Sequence, residues 1–101
     1  MEFRSVADVP TDAAARYAKQ LLTHMSHKVT VETIEGEPLG GRLVFDYETA
    51  AVIPRPDRLT LSATAADAES LARVQDVVSR HLQRFGARRA IAVEWGAHSV
   101  G

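Results

Sequence analysis

The sequence predicts an α+β fold: a mixed, mostly antiparallel five-stranded sheet with two helices packed on one face. Three observations carry that prediction. Two stretches place apolar residues at helical spacing, and several shorter ones alternate apolar with polar residues. Proline and glycine fall between these stretches, where turns belong. The resulting order is helix, four-strand meander, helix, strand.

Each element has a local reason. Residues 1–10 contain Phe3, Ser5 and Ala7 at alternate positions, which allows a short extended segment. Pro10-Thr11-Asp12 marks a helix start, with Thr11 as the cap and Asp12 complementing the helix dipole. Ala14, Tyr17, Ala18, Leu21, Leu22 and Met25 then form one face of an amphipathic helix over about residues 12–25. From Lys28 the period becomes two, and Val29 and Val31 mark a strand over residues 28–34. Glu35 to Gly41 is expected as a turn or short loop. Arg42 to Phe45 and Thr49 to Ile53 are the next strands, with a turn at Asp46-Tyr47-Glu48. After the breaker Pro54-Arg55-Pro56-Asp57, Leu59, Leu61 and Ala63 alternate in a half-buried strand.

Thr64 followed by Asp67 fits a variant capping box for the second helix. Leu71, Val74, Val78, His81, Leu82 and Phe85 mark its apolar face, and Gly86 stops it. The last strand is expected over Ala90 to Trp95, followed by a frayed tail at residues 96–101. A right-handed return through the second helix would set this last strand parallel to the first, giving the order 5-1-2-3-4.

Composition bounds the function. The chain has 101 residues, which suits one domain over residues 1–101. It has 12 basic and 13 acidic residues and no cysteine. Near-neutral charge gives no overall drive toward nucleic acid or acidic membranes. The lack of cysteine excludes disulfides, thiolate nucleophiles and cysteine-ligated metal. No apolar run approaches the roughly 20 residues that span a bilayer, and the charged N-terminus is unlike a secretory signal. A cytoplasmic location is therefore expected.

The predicted topology collects chemistry at one sheet edge, where both helices end. That edge would hold His24, His27, Lys28, His81, Arg84, Arg88 and Arg89. His24 and His27 are three residues apart, and His81 lies on the core side of the second helix. Three imidazoles suffice for a divalent metal such as iron or zinc, with His24, His27 and His81 as the ligands. The same histidines also suit a structural role, complementing the negative helix C-termini. Lys28 and Arg84 could hold an anionic ligand, against the field of those same helix ends. Asp46 and Glu48 read as solvated carboxylates, and Ser26 beside His27 lacks an orienting acid. No catalytic set is assigned, and His98 is expected in solvent.

Some of these residues carry a resemblance. Tyr17-Ala-Lys-Gln-Leu21 with His24-Met-Ser-His27-Lys28, then Ala65-Ala-Asp-Ala-Glu-Ser-Leu71 and Val77-Val-Ser-Arg-His81-Leu-Gln-Arg84-Phe85, resemble two paired motifs of a bacterial family, domain of unknown function 2218. Val93-Glu-Trp95 resembles its closing strand, so the likeness runs from about Thr11 to Trp95. The chain departs from the pattern at Tyr47-Glu48, where members usually have a glycine, and in its longer first hairpin. The resemblance implies no established activity. It does imply an association with siderophore utilisation, with a siderophore-interacting reductase or an iron-uptake component as partner. The family motifs include the positions of His24, His27, Lys28, His81 and Arg84. Two functions of different class follow: a metal- or ligand-binding accessory protein of iron handling, or a docking domain whose histidines are structural. A homodimer would cover a free sheet face.

Overall fold

The computed structural model describes every residue except 1, 47, 87–90, 98 and 101. The expected turn residue Tyr47, the strand start at Ala90, and Arg88, Arg89 and His98 lie outside the described residues. The elements run β1 (Phe3–Pro10), α1 (Ala14–Met25), β2 (Thr30–Ile34), β3 (Glu37–Val44), β4 (Thr49–Pro54), β5 (Arg58–Ala65), α2 (Ala68–Phe85) and β6 (Ser99–Val100). The fold is α+β, with both helices on one face of an antiparallel sheet. Among the described residues, no helix is long and apolar enough to cross a membrane.

The strand order differs from expectation. The sheet runs β2-β3-β4-β5-β1-β6, so the meander is present but the strand beyond it is N-terminal. β1 pairs antiparallel with β5 from Phe3↔Ala65 to Pro10↔Arg58. Its Ser5, Ala7 and Val9 are buried, in register with Ala63, Leu61 and Leu59 of β5. This full-length match leaves β2 as an outer edge, with no parallel neighbour.

Residues 91–95 of the strand expected over Ala90 to Trp95 belong to no strand. Ile91, Val93 and Trp95 do face the core, and Ala92 and Glu94 face solvent, so the side-chain alternation holds. The backbone bonds differently: Ile91 N–H donates to Gly86 O at 3.3 Å, and Gly96 N–H donates to Val6 O at 2.9 Å. Trp95 Nε1 donates to Ser79 Oγ of α2 at 2.8 Å, which clips the segment to the helix as well as to β1. Beyond it, Ser99 and Val100 pair with Arg4 and Phe3, so the tail continues the sheet.

Three local boundaries also shift. Thr11 Oγ1 accepts from Ala13 N–H at 3.1 Å, and α1 begins at Ala14. Thr64 stays in β5, and Asp67 caps α2 by accepting from Ser70 N–H at 2.7 Å. The expected loop at residues 35–41 is mostly strand, because Ile34 already pairs with Glu37 across a tight turn. Gly36 makes that turn with φ +81°, a conformation other residues adopt with strain.

α1 packs over β3, β4 and β5, while α2 packs over β5 and β1. Between helices and sheet lie Leu21, Met25, Leu43, Val52, Leu59, Leu61, Leu71, Val78 and Leu82, all fully buried. Burying such side chains supplies most of the drive to fold, at about 1.5–3 kcal/mol each.

Candidate functional site

His24 follows Leu21 by three positions and precedes Met25, and both of those residues are buried in the α1 stripe. His81 stands in the same relation to Val78 and Leu82 of α2. Each imidazole therefore lies on the border of its helix's core face. The helices share one face of the sheet, and their last turns bring the two rings together. The ring centroids are 4.7 Å apart, with the planes tilted by 50°. Phe85 closes the pair edge-on, its centroid 5.6 Å from that of His24.

The pair is electrostatically unusual. His24 Nε2 is buried and has no hydrogen-bond partner. Such atoms are uncommon in folded proteins and call for an explanation. Burial, followed by the positive potential of His24, Lys28, Arg80 and Arg84, holds His81 below the ordinary histidine range. His81 therefore favours its neutral form.

His27 and Lys28 occupy different ground. They line an open groove of about 1200 Å³ between the end of α1, the edge strand β2, the β3–β4 turn and α2. Val29, Val31, Phe45, Val74 and Val77 form its apolar walls, and Lys28, Arg73, Asp46 and Glu48 bring charge to it. Among the described residues, no group of three His, Cys, Asp or Glu is placed to hold a metal ion. The structure thus unites His24 with His81 but does not assemble the three expected imidazole ligands. Lys28 links the two regions, since it lines the groove and its charge reaches His81. Arg84 is exposed in the last turn of α2 and adds to the same positive field. Ser26 Oγ donates to Thr23 O at 2.7 Å, so its hydroxyl is engaged away from His27.

Sequence reasoning missed two contributors. Glu48 is not a solvated carboxylate: its side chain is only 13% exposed and lies 3.9 Å from Arg73 Nε. Arg73 alternates with acidic residues along α2, a pattern that by itself reads as a solvated helix face. The two are distant in sequence, and no local pattern announces a pair made by the β3–β4 turn folding against α2. Arg80 does behave as a surface residue, bonded to Asp76 one helical turn away at 2.9 Å.

A family model described as an uncharacterised protein conserved in bacteria, DUF2218, matches residues 6–96. The chain is also similar to PA4090 from Pseudomonas aeruginosa, whose NMR structure has been solved. The two are 34% identical, the match covers 93% of this chain and 95% of that one, and the TM-score is 0.75. No curated protein matches the chain.

Proposed function

The chain belongs to the DUF2218 family of uncharacterised bacterial proteins, and we propose that it is a small cytoplasmic accessory protein that binds an amphipathic ligand in the groove beside α1 and β2. The observation that carries this reading is the lining. An open groove of about 1200 Å³ combines valine and phenylalanine walls with Lys28, Arg73, Asp46 and Glu48. Ligand sites generally combine apolar walls with a few placed polar groups. The apolar walls suit the body of a ligand, and Lys28 suits an anionic group on it, Arg73 being turned to Glu48. A finer reading takes up the siderophore association that the resemblance implies: the ligand is an iron chelate and the partner a siderophore-interacting reductase or an iron-uptake component.

Thermal-shift titration with ferric catecholate, hydroxamate and carboxylate chelates tests this. A ligand of the native state must raise Tm by mass action. We expect a rise with at least one chelate class. Val31→Arg, which puts bulk into the groove from the edge strand, should abolish it, while Val6→Arg on the opposite sheet face should not. No rise with any class, or an equal rise in the Val31→Arg variant, contradicts the reading.

A second reading, a domain that docks on a partner or on another copy of itself, is favoured by the other sheet face. Along β4 and β5 the middle of that face presents Thr49, Ala51, Ile53, Thr60, Ser62 and Thr64, bordered by the Arg58–Asp8 and Arg42–Glu32 ion pairs. Val6 beside them is 43% exposed. An uncharged centre with a charged rim is an arrangement that docking surfaces commonly have. Mass measurement in solution for wild type and an Ile53→Glu variant tests it: a dimer that the substitution dissociates supports self-association.

A further inference from the structure

We infer that the helix-free sheet face pairs with a second copy of this chain about a two-fold axis running across the strands, which sets Arg4 of each copy against Asp8 of the other. The inference rests on the second reading above, in which this face docks, and commits it to one occupant in one orientation. Strand register lays out the face as rows. Arg4, Thr64 and Thr49 form the first, Val6, Ser62 and Ala51 the second, and Asp8, Thr60 and Ile53 the third. Neighbouring rows are about 7 Å apart along each strand. The β1 side of the face thus carries a cation at one end and a carboxylate at the other, with Val6 between them. Arg4 is exposed and takes part in none of the ion pairs among the described residues. Asp8 Oδ1 accepts from Thr60 Oγ1 at 2.7 Å and lies 3.4 Å from Arg58 Nε, and the carboxylate has acceptor capacity left at Oδ2.

Charge complementarity selects the axis. In a two-fold interface one patch meets itself. A two-fold along β1 would set Arg4 on Arg4 and Asp8 on Asp8. One along β5 would set Asp8 on the apolar Ile53. One along the middle row exchanges the first and third rows. Arg4 then meets Asp8, Thr64 meets Thr60, and Val6 and Ala51 meet their own counterparts at the centre. Stacked sheets keep their strands nearly aligned, as this axis requires. The middle row ends in Arg42 and Glu32, 3.9 Å apart, and the two such pairs form a quartet without net charge at the rim. Five strands about 4.8 Å apart and up to eight residues long cover roughly 600 Å² per copy. A total of about 1,200 Å² is the lower end for a stable interface, so the dimer is a weak one. The groove opens on the helix side of the sheet, so both copies keep it free.

Sedimentation equilibrium at rising concentration tests this. Wild type should dimerise. Arg4→Glu and Asp8→Lys should each raise the dimer dissociation constant about tenfold, since two exposed pairs turn from attraction to repulsion. The double variant should dimerise more tightly than either single variant. Arg4 and Asp8 are about 13 Å apart along one strand, so that recovery cannot arise within a chain. In a half-labelled wild-type sample, isotope-filtered NOEs should join the Val6 methyls of one copy to Val6 of the other, and this spectrum decides if a variant fails to fold. A wild type that stays monomeric at millimolar concentration overturns both this inference and self-association through the face. A dimer that Ile53→Glu dissociates, but in which the double variant recovers nothing or Val6 shows no NOE between copies, overturns this arrangement and leaves the second reading standing.

Discussion

His24 and His81 sit ring against ring, 4.7 Å between centroids, with Phe85 edge-on to His24. Each comes from the last turns of its helix and borders the core stripe of that helix. Their proximity follows from two helices sharing one sheet face, so it is independent of the strands that follow them. It also ties protonation to packing, because a charge on either ring raises the energy of a charge on the other.

That coupling sets a pH dependence. Burial and then His24, Lys28, Arg80 and Arg84 lower the pKa of His81 from 6.5. The unfolded chain therefore binds a proton at this position before the native state does. Stability from this group is complete above about pH 6.5 and is lost as pH falls through the folded pKa. Proton-detected titration should show His81 with a midpoint below the ordinary histidine value. A midpoint at or above that value would contradict the assigned environment.

The start of α2 depends on Asp67, whose carboxylate accepts from Ser70 N–H at 2.7 Å. That bond to the backbone amide, followed by a contribution from the Ser70 side chain, lowers the Asp67 pKa below its usual value. Asp67→Ala should lower Tm, whereas Asp67→Asn, which keeps an accepting oxygen, should retain most of it. Thermal melts of the two variants at neutral pH make the comparison.

Gly86 ends α2 for reasons of space. Its φ is −95°, which any residue can adopt. A Cβ placed there would meet Ile91 Cδ1 at 2.6 Å and Ile91 Cβ at 2.8 Å. Gly86→Ala should destabilise by about 1–3 kcal/mol, as overpacking does. Adding Ile91→Ala should cost less in that background than in wild type. Additive effects in urea unfolding would show that the crowding is not between these two residues.

The C-terminal segment is held by the bond from Trp95 Nε1 to Ser79 Oγ. Trp95→Phe and Ser79→Ala should each cost about 0.5–1.5 kcal/mol. Together they should cost little more than either alone, because they break the same bond. Amide exchange in residues 91–96 should quicken in both single variants.

Helical periodicity located both helices, since Leu21 and Met25, and Val78 and Leu82, repeat at the spacing that buries one side. Alternation located the meander through Leu43, Val52, Leu59 and Leu61 in the same way. It was weakest for β1, whose inward residues Ser5 and Ala7 are small and give little apolar signal. Alternation also overreached at Ile91, Val93 and Trp95, because it reports which side chains face the core and not where the backbone bonds. The His24–His81 pair was legible because helix register places both residues beside core positions. Its expected third member, His27, lies past the end of α1, where helical spacing no longer governs. The Glu48–Arg73 contact required the tertiary fold.

Amide chemical-shift mapping with a gallium chelate, diamagnetic in place of iron, tests most directly whether the groove is the binding surface. The account predicts shifts concentrated at His27, Lys28, Val31, Phe45, Val74 and Val77, saturating with ligand. Shifts confined to the helix-free sheet face, or none at saturating chelate, would contradict it.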